Sequence, residues 1–179
     1  GQNFLIDDNV IEKIVNSSNI TKNDLVIEIG PGLGTLTKSL LEKAKKVVAI
    51  ELDDRMLNIL NERFYLYSNF EIIHEDVLKV NLEQLIREEK EKNEIESVKI
   101  VANLPYYITT PIIMKLLEDK LDIESITVMV QKEVAKRLTA MPGEKLAGAI
   151  TYSVNYYCEA KEVVEVSKDC FIPAPEVDS

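Results

Sequence analysis

The stretch Val26–Gly34, Val-Ile-Glu-Ile-Gly-Pro-Gly-Leu-Gly, constrains the chain more than any other. An apolar, mostly β-branched run from Leu25 to Ile29 ends in glycines at alternate positions, Gly30, Gly32 and Gly34. Leu36, Leu40, Leu41 and Ala44 then recur at helical spacing. The pattern is strand, tight turn, helix. Glycine permits positive φ and lets a ligand approach the backbone. The free N–H groups at the start of the following helix favour polar or anionic groups. Two readings of the turn stand: the nucleotide-cofactor corner of a doubly wound sheet, or a turn that only packs strand on helix.

The dinucleotide fingerprint needs glycine at its first, third and sixth positions, and here the sixth is Thr35. Three alternating glycines preceded by an acid, Glu28, resemble S-adenosylmethionine methyltransferases instead. A second strand, Lys46–Ile50, ends in Glu51, at a distance where an acid takes both hydroxyls of an adenosine ribose. A third, Phe70–His74, ends in Glu75-Asp76, where an acid can accept from an adenine amino group. An acid on each of the next two strand ends favours the cofactor reading.

Strands alternate with helices along most of the chain, which predicts a parallel sheet with right-handed crossovers and a ligand at the carboxyl ends of its strands. Asp54–Phe64 reads as the second crossover helix. Ser97–Ala102 reads as the fourth strand, running into Asn103-Leu104-Pro105-Tyr106. Thr110-Pro111 opens a further helix, Ser125–Val130 is a fifth strand, and Lys132–Leu138 a short basic helix. Ala149–Cys158 and Glu162–Val166 are β-branched and aromatic enough to predict two more strands, a hairpin joined at Glu159-Ala160-Lys161. The expected fold is α/β and doubly wound, a Rossmann-like single domain over residues 1–179 whose mostly parallel seven-stranded sheet ends in that hairpin. Gly30, Glu51, Asp76 and Asn103 should meet at one edge, each from a different strand.

Charge complicates the choice of partner. The net charge of −10 argues against nucleic acid, whose phosphates call for Lys and Arg, although part of the excess lies in the solvated stretch Glu83–Glu96. Lys132, Lys136 and Arg137 are the candidate phosphate contacts, with an ordinary solvated face as the other reading. Apolar runs stop short of membrane-spanning length. Cys158 and Cys170 lack metal-ligand spacing and read as reduced thiols, which places the protein in the cytoplasm; no metal is expected. His74, the only histidine, has no companion ligand near it in sequence.

The chemistry sits after the fourth strand. Asn103 offers a side-chain oxygen. Pro105 has no N–H and holds Leu104 extended, so the segment presents carbonyls, and Tyr106 adds a flat aromatic face. Two acceptors can hold both hydrogens of an exocyclic amine on a base and aim its lone pair at an electrophilic methyl. Catalysis would then be positioning and electrostatics, with no strong base. A turn in which Pro and Tyr only shape a corner is the alternative until the adenosine site is counted on the same edge.

Asn-Leu-Pro-Tyr, the opening Gly-Gln-Asn-Phe-Leu, Val130–Leu138 and the closing Phe-Ile-Pro-Ala-Pro-Glu-Val-Asp-Ser together resemble the rRNA adenine N6-dimethyltransferase family, over essentially the whole chain. The match is to its bacterial small-subunit type, which dimethylates two adjacent adenines near the 3′ end of 16S rRNA. The resemblance implies S-adenosylmethionine as cofactor, with Gln2, Asn3 and Leu5 at its methionine end, Gly30 and Gly32 lining it, Glu51 on the ribose, and Asp76 with Val77 at the adenine. Asn103, Leu104, Pro105 and Tyr106 would hold the target adenine, Asn103 being a cofactor contact as well, with Phe171 stacked on the base's other face. From the residues alone, Gln2 and Asn3 are equally an ordinary loop. The chain departs from the family at Tyr107, where Asn is common; the bulkier ring would stand at the entrance to the target pocket. The family's small C-terminal helical domain is missing and the N-terminus, at Gly1, reads as trimmed; a monomer is expected. Macrolide-resistance methylases of 23S rRNA are the related alternative, but they more often carry Ile in place of Leu104, are usually basic and lack this closing segment. A ribosome-assembly factor with little catalysis and a small-molecule methyltransferase are the readings from other classes.

Overall fold

The computed structural model describes residues 2–179. A short strand β1 (Phe4–Leu5) leads into helix α1 (Asp8–Ser17), which is capped by the Asp7 carboxylate accepting from the N–H groups of Asn9 and Val10. Strand β2 (Asp24–Ile29), the glycine turn and helix α2 (Thr35–Lys43) follow as expected. Then come β3 (Lys46–Glu51), α3 (Asp54–Phe64), β4 (Phe70–His74), α4 (Leu82–Asn93), β5 (Ser97–Asn103), α5 (Thr109–Glu118), β6 (Ser125–Met129) and α6 (Lys132–Thr139).

Five strands form one sheet in the order β4-β3-β2-β5-β6, and every neighbouring pair is parallel. The central strands are buried on both faces, as crossover helices on both sides require. Strand alternation divides them between two cores. Leu25, Ile27 and Ile29 of β2 face the side packed by α4, α5, α6 and a later helix. Val26 faces the other side, with Val47 and Val101, against α1, α2 and α3.

The last third corrects the expectation. Ala149–Tyr157 is a helix, α7, and residues 158–167 form no strand; there is no closing hairpin among the described residues. The β-branched and aromatic residues that suggest a strand here instead supply a helical pair, Thr151 and Val154, both buried. Thr151 Oγ1 donates to the Arg137 carbonyl at 2.6 Å and accepts from Gly148 N–H at 3.0 Å, pinning the start of α7 to the end of α6. Tertiary packing has overridden β-propensity. The remaining strand, β7 (Phe171–Ile172), pairs antiparallel with β1 in a separate two-stranded sheet, Phe4 opposite Ile172 and Leu5 opposite Phe171. The main sheet therefore has five strands rather than seven, and the two strands outside it, β1 and β7, are not the two expected between residues 149 and 166.

Candidate functional site

Parallel register brings the strand ends to one edge. Ile29 lies opposite Ile50 and Ala102, Glu51 opposite His74, and Asn103 opposite Met129. Each predicted strand-end residue therefore sits just past the same line, and Gly30 N–H donates to the Ile50 carbonyl at 3.1 Å.

The glycine turn is as demanding as its sequence. Gly30, Gly32 and Gly34 all have positive φ, +69°, +58° and +86°. A Cβ on Gly30 would stand 2.8 Å from the Asn103 carbonyl oxygen, and one on Gly34 would stand 2.5 Å from the Phe64 ring. At Gly32 it would meet the Phe4 ring at 3.2 Å. The opening motif is thus drawn onto the turn by the β1–β7 pairing. Phe4, Leu5, Glu28, Gly30, Gly32 and Asn103 line a cleft whose enclosed part, about 20 Å³, has room for about one water. A ligand of nucleotide size would extend from it along the strand edge. A larger hollow of about 1000 Å³ lies elsewhere, between β6, α5 and the run 157–166, and none of the residues named for the cofactor or target base lines it.

Glu51 is buried and pre-set. Its Oε1 accepts from the Leu52 and Asp53 N–H groups, both at 3.0 Å, and its Oε2 from Gly32 N–H at 3.3 Å. A carboxylate has about four lone-pair directions, so one remains open, on Oε2. Asp76 caps a 3₁₀ turn at Val77–Lys79 through Oδ1, which accepts from Leu78 N–H at 3.0 Å; Val77 is buried beneath it. Gln2 is exposed and Asn3 half-buried, next in chain to the cleft wall but not part of it. Gly1, the first residue of the opening motif, lies outside the described residues.

After β5 the backbone turns sharply. Leu104 is buried and its N–H donates to the Met129 carbonyl at 3.3 Å. The Pro105 carbonyl accepts from Ile108 N–H and Thr109 Oγ1, at 3.2 and 3.0 Å. Among the described residues, neither the Asn103 side chain nor the Leu104 carbonyl is used by another hydrogen bond, so both acceptors stay available at the edge. Tyr106 is half-buried, its hydroxyl 2.9 Å from Ser179 Oγ. Tyr107 is 84 % exposed. Phe171 is only 4 % exposed, packed in the second core beside Leu5, so its face is covered in this state of the chain.

The basic helix is less available than its sequence promised. Lys132 pairs with Glu165 at 2.5 Å, which holds its ammonium above the usual lysine range, and Arg137 pairs with Glu133 one turn away at 2.8 Å. Lys136, exposed, is in no ion pair among the described residues.

Glu28 was legible only as part of the glycine motif, and its environment gives it more weight. It is 1 % exposed, on the α2 side of β2, and its Oε2 accepts from Thr37 Oγ1 at 2.5 Å. Burial first raises its pKa; the Thr37 bond lowers it, Glu51 raises it again, and the result is about 8. The Thr37 and Ser179 contacts had no sequence signal, since both depend on which helix or segment packs opposite.

The family model for ribosomal RNA adenine dimethylases matches residues 1–179. A Clostridium botulinum protein, ribosomal RNA small subunit methyltransferase A, is 52 % identical over the whole chain, which spans 63 % of that relative's length. The protein of the same name from Clostridium acetobutylicum is 53 % identical over the same share of each chain. Among solved structures, a dimethyladenosine transferase from Plasmodium falciparum aligns with TM-score 0.84 and 32 % identity, over 98 % of this chain and 60 % of its own. The chain thus spans under two thirds of the length of these relatives. Membership rests on the match over all residues together with the strand-edge geometry: the chain belongs to the ribosomal RNA adenine dimethylase family.

Proposed function

We propose that this chain is the catalytic part of an S-adenosylmethionine-dependent methyltransferase that converts two adjacent adenines near the 3′ end of 16S rRNA to N6,N6-dimethyladenosine during small-subunit maturation. The observation that supports this reading is the contact of the glycine turn with Asn103, which brings the turn after β2 and the turn after β5 together. The identity to small-subunit methyltransferases, 52 % against 29 % for the 23S rRNA methyltransferase ErmE (TM-score 0.81), favours the small-subunit substrate over the large.

The residues fit the cofactor. Gly30 and Gly32 line the cleft with bare backbone, Glu51 has an open lone pair for ribose, and Asp76 has a second oxygen for an adenine amino group. Gln2, Asn3 and Leu5 would hold the cofactor's methionine end. Bound S-adenosylmethionine supplies a methyl on a sulfonium, with a neutral thioether as leaving group. Before the first transfer Asn103 Oδ1 and the Leu104 carbonyl accept hydrogen bonds from the two N–H groups of the target amine and turn its lone pair out of conjugation; each methyl gained displaces one N–H proton to solvent, so the second transfer starts from a single N–H. Pro105 keeps that carbonyl presented, and Tyr106 supports the base ring, as enzymes do with a base taken from its stack. Phe171 closes the other side once its ring is uncovered. Lys136, and Lys132 and Arg137 once released from their acidic partners, are the phosphate contacts on this piece. The protein acts as a monomer in the cytoplasm, and the longer relatives supply room for the helical domain that the resemblance implies.

The test is methyl transfer from labelled S-adenosylmethionine by the full-length protein, offered unmethylated small subunits, large-subunit RNA and free adenosine. Dimethyladenosine in the small-subunit RNA alone is the expected result. Label in large-subunit RNA or adenosine moves the substrate elsewhere, and cofactor binding without any transfer favours a binding factor.

A further inference from the structure

His74 ends β4 directly opposite Glu51, the last residue of β3. It is exposed and does not line the strand-edge cleft. Its Nε2 lies 3.1 Å from the Leu52 carbonyl oxygen and 3.0 Å from Asp54 Oδ1. A carbonyl and a carboxylate only accept, so Nε2 carries the proton and shares it between them. Among the described residues no other hydrogen bond reaches the Leu52 carbonyl. That carbonyl and the Asp53 N–H are the two ends of one peptide unit, which is planar and turns only as a whole. The Asp53 N–H donates to Glu51 Oε1 at 3.0 Å. The imidazole and the Glu51 carboxylate therefore hold the same rigid plane from opposite ends. Of the two carboxylate oxygens, Oε1 is the anchored one, and Oε2 keeps the open lone pair.

We propose that His74 is a positioning residue for the ribose acceptor: by fixing the Leu52–Asp53 peptide it fixes the rotation of the Glu51 carboxylate, and so aims the open Oε2 lone pair at a ribose hydroxyl. The inference rests on the reading of Glu51 as the ribose acceptor given above. Without the imidazole the Leu52 carbonyl is left to water. The peptide then turns more freely and takes the Asp53 N–H away from Oε1. Glu51 is still held by the N–H groups of Leu52 and Gly32, so the loss falls on its aim rather than on the fold. One neutral hydrogen bond sets the size of the effect, about two- to tenfold in ligand affinity. His74 acts only through Glu51, so the transfer step itself keeps its rate.

The experiment compares the affinity of the full-length protein for S-adenosylhomocysteine and for its 2′,3′-dideoxy analogue, which lacks both ribose hydroxyls. Wild type should prefer the hydroxylated ligand. His74→Ala should weaken that ligand about two- to tenfold and leave the dideoxy analogue unchanged. His74→Gln, which returns an N–H near the Nε2 position, should restore most of the preference. His74→Asn, whose amide stops short of that position, takes the place of the alanine variant if the latter does not fold. In the Glu51→Ala background, loss of His74 should cost nothing further, because the two act through one contact. In turnover, KM for S-adenosylmethionine should rise by the same factor while kcat stays at the wild-type value. Equal weakening of both ligands, no weakening of either, or a Gln variant that behaves as the alanine one overturns the proposal and leaves the ribose reading intact. A wild type that binds both ligands equally overturns the ribose reading of Glu51 itself.

Discussion

The backbone carbonyl of Asn103 lies against Gly30, so close that a Cβ on that glycine would stand 2.8 Å from its oxygen. The turn after β2 and the turn after β5 are therefore one structural unit, although far apart in sequence. Gly30→Ala adds this clash to a positive φ of +69°. The variant should lose about 1–3 kcal/mol of stability and bind S-adenosylmethionine more weakly. Urea unfolding and equilibrium cofactor binding check both; a wild-type midpoint would contradict the contact.

Glu51 is held by three backbone N–H groups, from Gly32, Leu52 and Asp53. Glu51→Ala releases all three and removes the ribose acceptor. Loss of hydrogen bonds to a charged group, worth about 1.5–3 kcal/mol, predicts a roughly 10- to 100-fold weaker cofactor affinity. Unchanged affinity in a binding titration would put the cofactor elsewhere.

The hydroxyl pair Tyr106–Ser179, at 2.9 Å, ties the base-holding ring to the closing segment. Tyr106→Phe keeps the ring and loses the tie. It should lower methyl transfer to RNA by an amount equivalent to about 0.5–1.5 kcal/mol while leaving cofactor affinity alone. Ser179→Ala should do the same, and the double variant no more than either, because both remove one interaction. Additive losses in kinetic assays would mean that the two act separately.

Burial of Glu28 has a cost that depends on pH. Its carboxyl has a pKa of about 8 in the fold against 4.5 for an unperturbed glutamate. Between those values the folded chain holds a proton that the unfolded chain has lost, so stability falls as pH rises through this window and is unaffected below it. Glu28→Gln keeps an acceptor for Thr37 and removes the titration. Its stability relative to wild type should grow by up to about 1.4 kcal/mol per pH unit across the window. Thermal unfolding at pH 5 and pH 8 checks it; a difference that does not change with pH would show that Glu28 is ionised in the fold.

How much of this could be read beforehand follows from what each residue depends on. The glycine turn and the acids at Glu51 and Asp76 were legible because a parallel sheet forces strand ends to one edge, and strand ends can be read from apolar runs. The segment Ala149–Tyr157 was not, because its β-branched and aromatic residues satisfy a strand pattern locally. Tertiary contacts go with the helix: burial of Thr151 and Val154, and the bonds from Thr151 Oγ1 to the Arg137 carbonyl and from Asn155 Nδ2 to the Ala140 carbonyl. The covered ring of Phe171 and the ion pairs of Lys132 and Arg137 are of the same kind, since they turn on what packs opposite.

The central claim is that one edge holds cofactor and target base side by side, with the Asn103 side chain serving the base. The most direct measurement is Asn103→Ala in the full-length protein, with S-adenosylmethionine affinity and methyl transfer to small-subunit RNA determined side by side. The account predicts near-normal affinity with transfer lowered by about 10²–10³, the usual cost of removing one positioned polar group. Transfer close to wild type, or loss of cofactor binding along with it, would contradict the division of roles.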